Sequence, residues 1–250
     1  DLCAVFASKK KLYSLFRVTH DELDIVDADA TQALMNRINP DIIINTAAYH
    51  KVDVVETDPN KAFLVNAIAV KNLSKYCKEK GRILVWFSTD FVFGMDSNRS
   101  LPYKETDCPG PINVYGASKL AGENFIKYIN PKYYIIRTGE LFGVAGSSEK
   151  GGNFVETMLK LANTQETVKV VNDQVVSPTY TFNLAEQVIS LLQTDKFGLY
   201  HATSEGECSW YEFAKEIFNQ TNLNVKISPV TSSQFPTIAK RPRYSVLENF

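Results

Sequence analysis

The sequence lacks any long uncharged apolar run, so it offers no candidate membrane-spanning helix, and no signal peptide is visible. It also lacks a charge excess. Its 27 Lys and Arg stand against 28 Asp and Glu, a balance of −1, so no global field draws nucleic acid or an anionic membrane surface. Cysteine is scarce and scattered. Cys3, Cys77, Cys108 and Cys208 form no C-x-x-C pair, which predicts reduced thiols and a cytoplasmic protein rather than a disulfide framework. His20, His50 and His201 lie far apart, so no metal site is predicted. Glycine is spread thinly as well: neither G-x-G-x-x-G nor G-x-x-G-x-x-G occurs in the first 50 residues.

What is present is an alternation of strand-like and helix-like segments. LYSLFRV (12–18) looks extended, and DATQALMNRINP (29–40) looks helical with a stop at Pro40. DIIINTAAY (41–49) is short and β-branched, as a strand buried on both faces would be. A helix over residues 58–80 is predicted, with Asp58 as cap, Pro59 in the first turn and Gly81 as stop. RILVWFSTDFVF, NVYGASKLAGENFIKYIN and YYIIRTGELFG continue as strand, helix and strand. The rhythm predicts an α/β fold, a doubly wound, Rossmann-like parallel sheet. Ligands of such a sheet sit at the carboxyl ends of its strands. Those ends carry Thr46-Ala47-Ala48, Ser88-Thr89-Asp90 and Thr138-Gly139-Glu140. A sheet of this kind should open with a strand and a Gly-rich turn. Here DLCAVF (1–6) reads like the middle of the helix that follows one, so that strand and turn are missing and the chain is expected to be clipped at both ends. After residue 145 the texture changes to a Gly/Ser loop, AGSSEKGG, followed by further helices and strands.

Tyr-x-x-x-Lys occurs four times. On a helix this spacing puts phenol and ammonium on one face. The ammonium should favour the phenolate and draw the tyrosine down from its ordinary pKa of about 10. Tyr128/Lys132 spans Pro131, which breaks a helix. Tyr76/Lys80 ends its helix at the amino-terminal edge of the sheet, away from ligand. Tyr211/Lys215 lies on a late amphipathic helix, where an aromatic residue belongs to the core. Tyr115/Lys119 alone opens a helix after a strand ending in Ser-Thr-Asp, with Gly116 allowing backbone or ligand to approach.

In order along the chain, IIINTAAYHKVDVVE, NAIAVKNL, STDFVF, PINVYGASKLAGE, GGNFVETMLKLA, VVNDQVVSPTYT and GLYHATSEGECSWYEFAKEIF resemble the dTDP-4-dehydrorhamnose reductase family, extended short-chain dehydrogenases acting on nucleotide sugars. The resemblance runs from about residue 17 to residue 249. It implies Thr89, Tyr115 and Lys119 as the catalytic residues, and NADPH or NADH as cofactor. Asp24, Ile25, Ala47, Ala48, Tyr49, Asn66 and Ser88, with Tyr115 and Lys119, are implied at the cofactor. His50, Val52, Thr89, Asp90, Glu140 and Arg241 are implied at the sugar nucleotide, Glu140 standing where the family often has Trp. It further implies a dinucleotide-binding domain (1–143 with 178–203) and a small substrate-binding portion (144–177 with 204–250). A homodimer is among the assemblies allowed. Two other functions share the scaffold. One is a non-catalytic nucleotide-binding subunit, resembling the regulatory subunit of methionine adenosyltransferase. The other is an epimerase or dehydratase, although a dehydratase needs an acid pair where Asp90 is followed by Phe91.

Overall fold

The structure is a computed structural model and describes residues 1–9, 12–144 and 151–249. Its main sheet is parallel: β1 (Ile42–Asn45), β2 (Ile83–Thr89) and β3 (Tyr133–Thr138) pair in that order. After β4 (Thr167–Val171), which belongs elsewhere, β5 (Gly198–His201) adds to the free side of β3. The register sets Thr89 beside Thr138.

Side chains alternate across a strand, and this divides the core into two layers. Leu84, Trp86 and Ile135 pack with Met35, Leu73 and Ile126 from one set of helices: α2 (Ala28–Ile38), α5 (Val70–Lys80) and α6 (Val114–Ile129). Val85, Tyr134 and Ile136 face the other way, onto α1 (Leu2–Ser8) and α8 (Thr181–Leu192). The sheet is therefore doubly wound. A separate core forms where α7 (Phe154–Ala162) and α9 (Trp210–Gln220) pack on β4 and its parallel partner β6 (Lys226–Val230), joining Met158, Val168, Val170, Ile217 and Phe218.

Three expectations change. LYSLFRV is irregular and pairs with no strand among the described residues. A groove of about 670 Å³, lined in part by Tyr13–Thr19 and Ile42–Asn45, lies between it and the free edge of β1. β1 is buried at alternate residues only, Ile43 and Asn45, not on both faces. The helix predicted over 58–80 is capped as expected: the Asp58 carboxylate accepts from Lys61 N, Pro59 opens the first turn and Gly81 adopts φ +67° at the end. It is not uniform, however. Between α4 (Pro59–Phe63) and α5 lies a π-helical turn, Leu64–Ala69, which brings Asn66 to a fully buried position; such turns cluster at functional sites. The Gly/Ser loop expected at 145–152 lies outside the described residues except for Gly151 and Gly152.

Candidate active site

Helix α6 is delivered to the strand ends by its first turn. The Asn113 side chain caps it, accepting from Gly116 N at 2.8 Å, and donates through Nδ2 to Lys240 O at 2.9 Å. Glu56 accepts from Val114 N at 3.0 Å. A Cβ on Gly116 would lie 2.0 Å from the Phe91 carbonyl oxygen. The close approach that glycine permits here is thus one of backbone to backbone, and it sets Tyr115 against the end of β2.

Thr89 is buried there, beside the Tyr115 phenol. The Thr89 hydroxyl donates to Asp90 Oδ1 at 3.1 Å and accepts from Phe91 N at 3.1 Å. Asp90 is buried, with Oδ2 lacking a protein partner. Desolvation pushes its carboxyl up to about 6, against hydrogen bonds from Ser245 and Thr89 that favour the ionised form. The next strand end closes in from the side, since a Cβ on Gly139 would fall 2.8 Å from the Asp90 carboxyl carbon. Glu140 follows with φ +46°.

Lys119 is buried one helical turn from Tyr115, but its ammonium does not do what the spacing predicts. Nζ donates to Phe87 O at 2.6 Å and sits 3.9 Å over the Trp86 ring. The tyrosine is instead raised above the ordinary phenol range. Burial is the main cause, the Thr89 hydroxyl opposes it, and the carboxylates of Asp90 and Glu140 push the same way as burial. The expected lowering is corrected accordingly: two nearby anions and desolvation act on the phenol, while the cation faces a carbonyl and a π face. A phenol held above its normal range keeps its proton at neutral pH but is a weaker acid than a free tyrosine, since a positioned acid works best with a pKa near the operating pH. Lys119 itself is lowered to about 7, because burial disfavours the ammonium more than Glu123 restores it.

Asn66 ties this helix to the end of β1. Its amide accepts from Tyr49 N and donates to Tyr49 O, both at 2.9 Å, and donates to Ser118 Oγ at 3.0 Å. Ile25, Thr46, Ala47, Ala48 and His50 line the groove beside β1. Asn45, also on its wall, keeps an amide nitrogen without a protein partner. Small side chains and an orphaned donor fit a bound nucleotide. Asp24 is exposed and engaged in its own turn, accepting from Val26 N at 3.0 Å. Arg241 pairs with Asp53 Oδ2 at 2.9 Å, on α3 (Val52–Thr57), which starts at Val52.

So Ser88, Thr89, Asp90, Tyr115, Lys119 and Glu140 come together, while Ile25, Ala47, Ala48 and His50 gather at the groove. Two buried residues were not anticipated from sequence: Glu123 and Arg137, ion-paired at 2.7 Å beneath Lys119. The available signal was the acid four residues after Lys119 in KLAGE, with an arginine ending YYIIR.

The sequence profile described as the RmlD substrate binding domain matches residues 2–250. The chain belongs to the dTDP-4-dehydrorhamnose reductase family. It is 39% identical over 241 residues to the spore coat polysaccharide biosynthesis protein SpsK of Bacillus subtilis, covering 96% of this chain and 82% of that protein. It is 37% identical over 236 residues to the dTDP-4-dehydrorhamnose reductase of Escherichia coli K12, covering 90% and 76%. The crystal structure of the family member from Bacillus anthracis, solved in complex with NADP, superposes with a TM-score of 0.90 at 40% identity, covering 95% of this chain and 82% of that one.

Proposed function

We propose that this protein reduces the 4-keto group of a nucleotide-linked deoxysugar, one resembling dTDP-4-dehydrorhamnose, with NADPH as reductant. The observation that carries the reading is the placement of Tyr115, which the first turn of α6 sets against the end of β2, beside Thr89 and Asp90 at the carboxyl edge of the sheet. The reductase relatives and the NADP complex of one of them support it. A reduced nicotinamide, when bound, supplies the hydride. Tyr115 delivers a proton to the oxygen of the carbonyl being reduced. Thr89 holds that oxygen in place, and donors fixed in advance need no rearrangement as charge develops. Lys119 steadies the cofactor ribose. Ile25, Ala47 and Ala48 border the nucleotide, and Asn66 holds the loop at Tyr49 in position. Asp90 and Glu140 meet the sugar, with His50 and Val52 at its edge and Arg241 on the diphosphate side. Because Glu140 presents a carboxylate where a tryptophan is common, the sugar is held by hydrogen bonds rather than by stacking.

Residues 144–177 and 204–250, which include the separate core of α7, α9, β4 and β6, serve as the substrate-binding portion, and residues 1–143 with 178–203 hold the cofactor. Free thiols at all four cysteines support a cytoplasmic location. The reading as a non-catalytic regulatory subunit is not favoured, since the relatives are reductases and Thr89, Tyr115 and Lys119 are all present. Mixing the full protein with NADPH and a dTDP-4-keto-6-deoxy sugar should remove the nicotinamide absorbance in step with sugar reduction. Unchanged absorbance with every such sugar, alongside measurable nucleotide binding, would instead fit the regulatory subunit.

A further inference from the structure

The pair beneath Lys119 is more than a core contact. Glu123 is fully buried, and each of its oxygens is saturated with donors. Oε1 accepts from Ser88 Oγ at 2.6 Å and from Arg137 Nε at 2.8 Å. Oε2 accepts from Arg137 Nη2 at 2.7 Å and, more loosely, from Lys127 Nζ at 3.4 Å. Arg137 is also buried, its guanidinium 5.0 Å over the Phe93 ring. These contacts join the three elements that build the site. Glu123 is on α6, one turn after Lys119; Ser88 on β2 precedes Thr89; Arg137 on β3 precedes Thr138. The last residues of β2 then meet α6 in succession: Trp86 and Phe87 at Lys119, Ser88 at Glu123, and Thr89 at Tyr115.

We propose that Glu123 is a positioning residue that fixes Lys119 and Thr89 relative to Tyr115, by locking α6 to the ends of β2 and β3 through Ser88 and Arg137. The proposal rests on the reductase reading for its consequence but not for its geometry. Replacing a buried ion pair by apolar residues of similar volume often leaves a protein folded, whereas removing one partner strands a buried charge. Stability alone therefore gives no reason to keep this pair, and a requirement for geometry does.

The test uses the full protein and the double variant Glu123→Met/Arg137→Met, which leaves neither member of the ion pair buried without the other, together with Ser88→Ala, which leaves the ion pair intact. Both should melt near the wild type. The double variant should lose about ten- to a hundredfold in kcat, as a displacement on the order of 1 Å can cause, with KM nearly unchanged. Ser88→Ala should lose less, in the same parameter. A crystal structure of the double variant should show Lys119 Nζ drawn away from the Phe87 carbonyl. A folded double variant with wild-type kcat, or one in which Lys119 has not moved, overturns the proposal. Should the wild type itself reduce no keto sugar, the reductase reading fails, and the position of Lys119 in the double variant still decides the clamp.

Discussion

Lys119 is where the spacing rule and the folded molecule part company. The one-turn separation from Tyr115 is real, yet proximity along a helix face does not say where four rotatable bonds will carry an ammonium. Here they carry it inward, to the Phe87 carbonyl and the Trp86 ring. The consequence is measurable in the absence of substrate. An unfolded lysine keeps its proton to about pH 10.4, whereas the folded one releases it near about 7. Between those values the unfolded chain binds more protons, so stability rises with pH; below about 7 the penalty is present in full. The unfolding free energy of the wild type, read by denaturant titration, should thus climb from about pH 7 to about pH 8.5, at a slope of up to about 1.4 kcal/mol per pH unit, and Lys119→Met should flatten it. That window avoids the contributions of His201 and Asp90, lowered to about 4 and raised to about 6, and lies below the range in which the raised thiols of Cys77 and Cys208 act. An equal climb in the variant would contradict the assignment.

At the scale of elements, α6 is placed by what it lacks. A Cβ on Gly122 would lie 2.4 Å from the Asn66 carbonyl oxygen and 2.7 Å from the Trp86 ring. Neither neighbour is the free end of a flexible side chain, so the helix can sit this near the π-helical turn only with glycine there. Gly122→Ala should destabilise the protein by about 1–3 kcal/mol through overpacking, read by denaturant titration. No loss of stability would mean that the helix and the turn are less tightly joined than described.

The helix caps at Asp58 and Gly81 were legible because one residue and its neighbours decide them. The π-helical turn was not: NAIAVKNL carries no local mark of it, and what rewards it is the bond from Asn66 to Tyr49, 17 positions earlier. The Glu123–Arg137 pair was hidden for the same reason, its partners lying on different elements. LYSLFRV is a different case. Its composition suits an extended chain, but a strand exists only beside another, and among the described residues it has none.

At the scale of the whole molecule, a parallel sheet with apolar layers above and below was implicit in the alternation of short β-branched runs and longer amphipathic ones, whereas the strand order β1-β2-β3-β5 was not. That architecture is shared by many chemistries. Only three strand ends and one helix start distinguish a reductase on it, and they converge because all the strands run the same way. Among the described residues no helix is long and apolar enough to cross a membrane. The second core, of α7, α9, β4 and β6, packs separately from the sheet's two layers.

On the proposed function, the Tyr115 phenol supplies the proton that completes reduction of the keto sugar. That role is tested most directly by comparing the full protein with Tyr115→Phe at neutral pH, following NADPH oxidation with a dTDP-4-keto-6-deoxy sugar. The variant should bind NADPH as the wild type does and lose about 10²- to 10⁴-fold in kcat, the usual weight of a positioned acid. Turnover within about twofold of the wild type would show that the proton comes from elsewhere and would contradict the account.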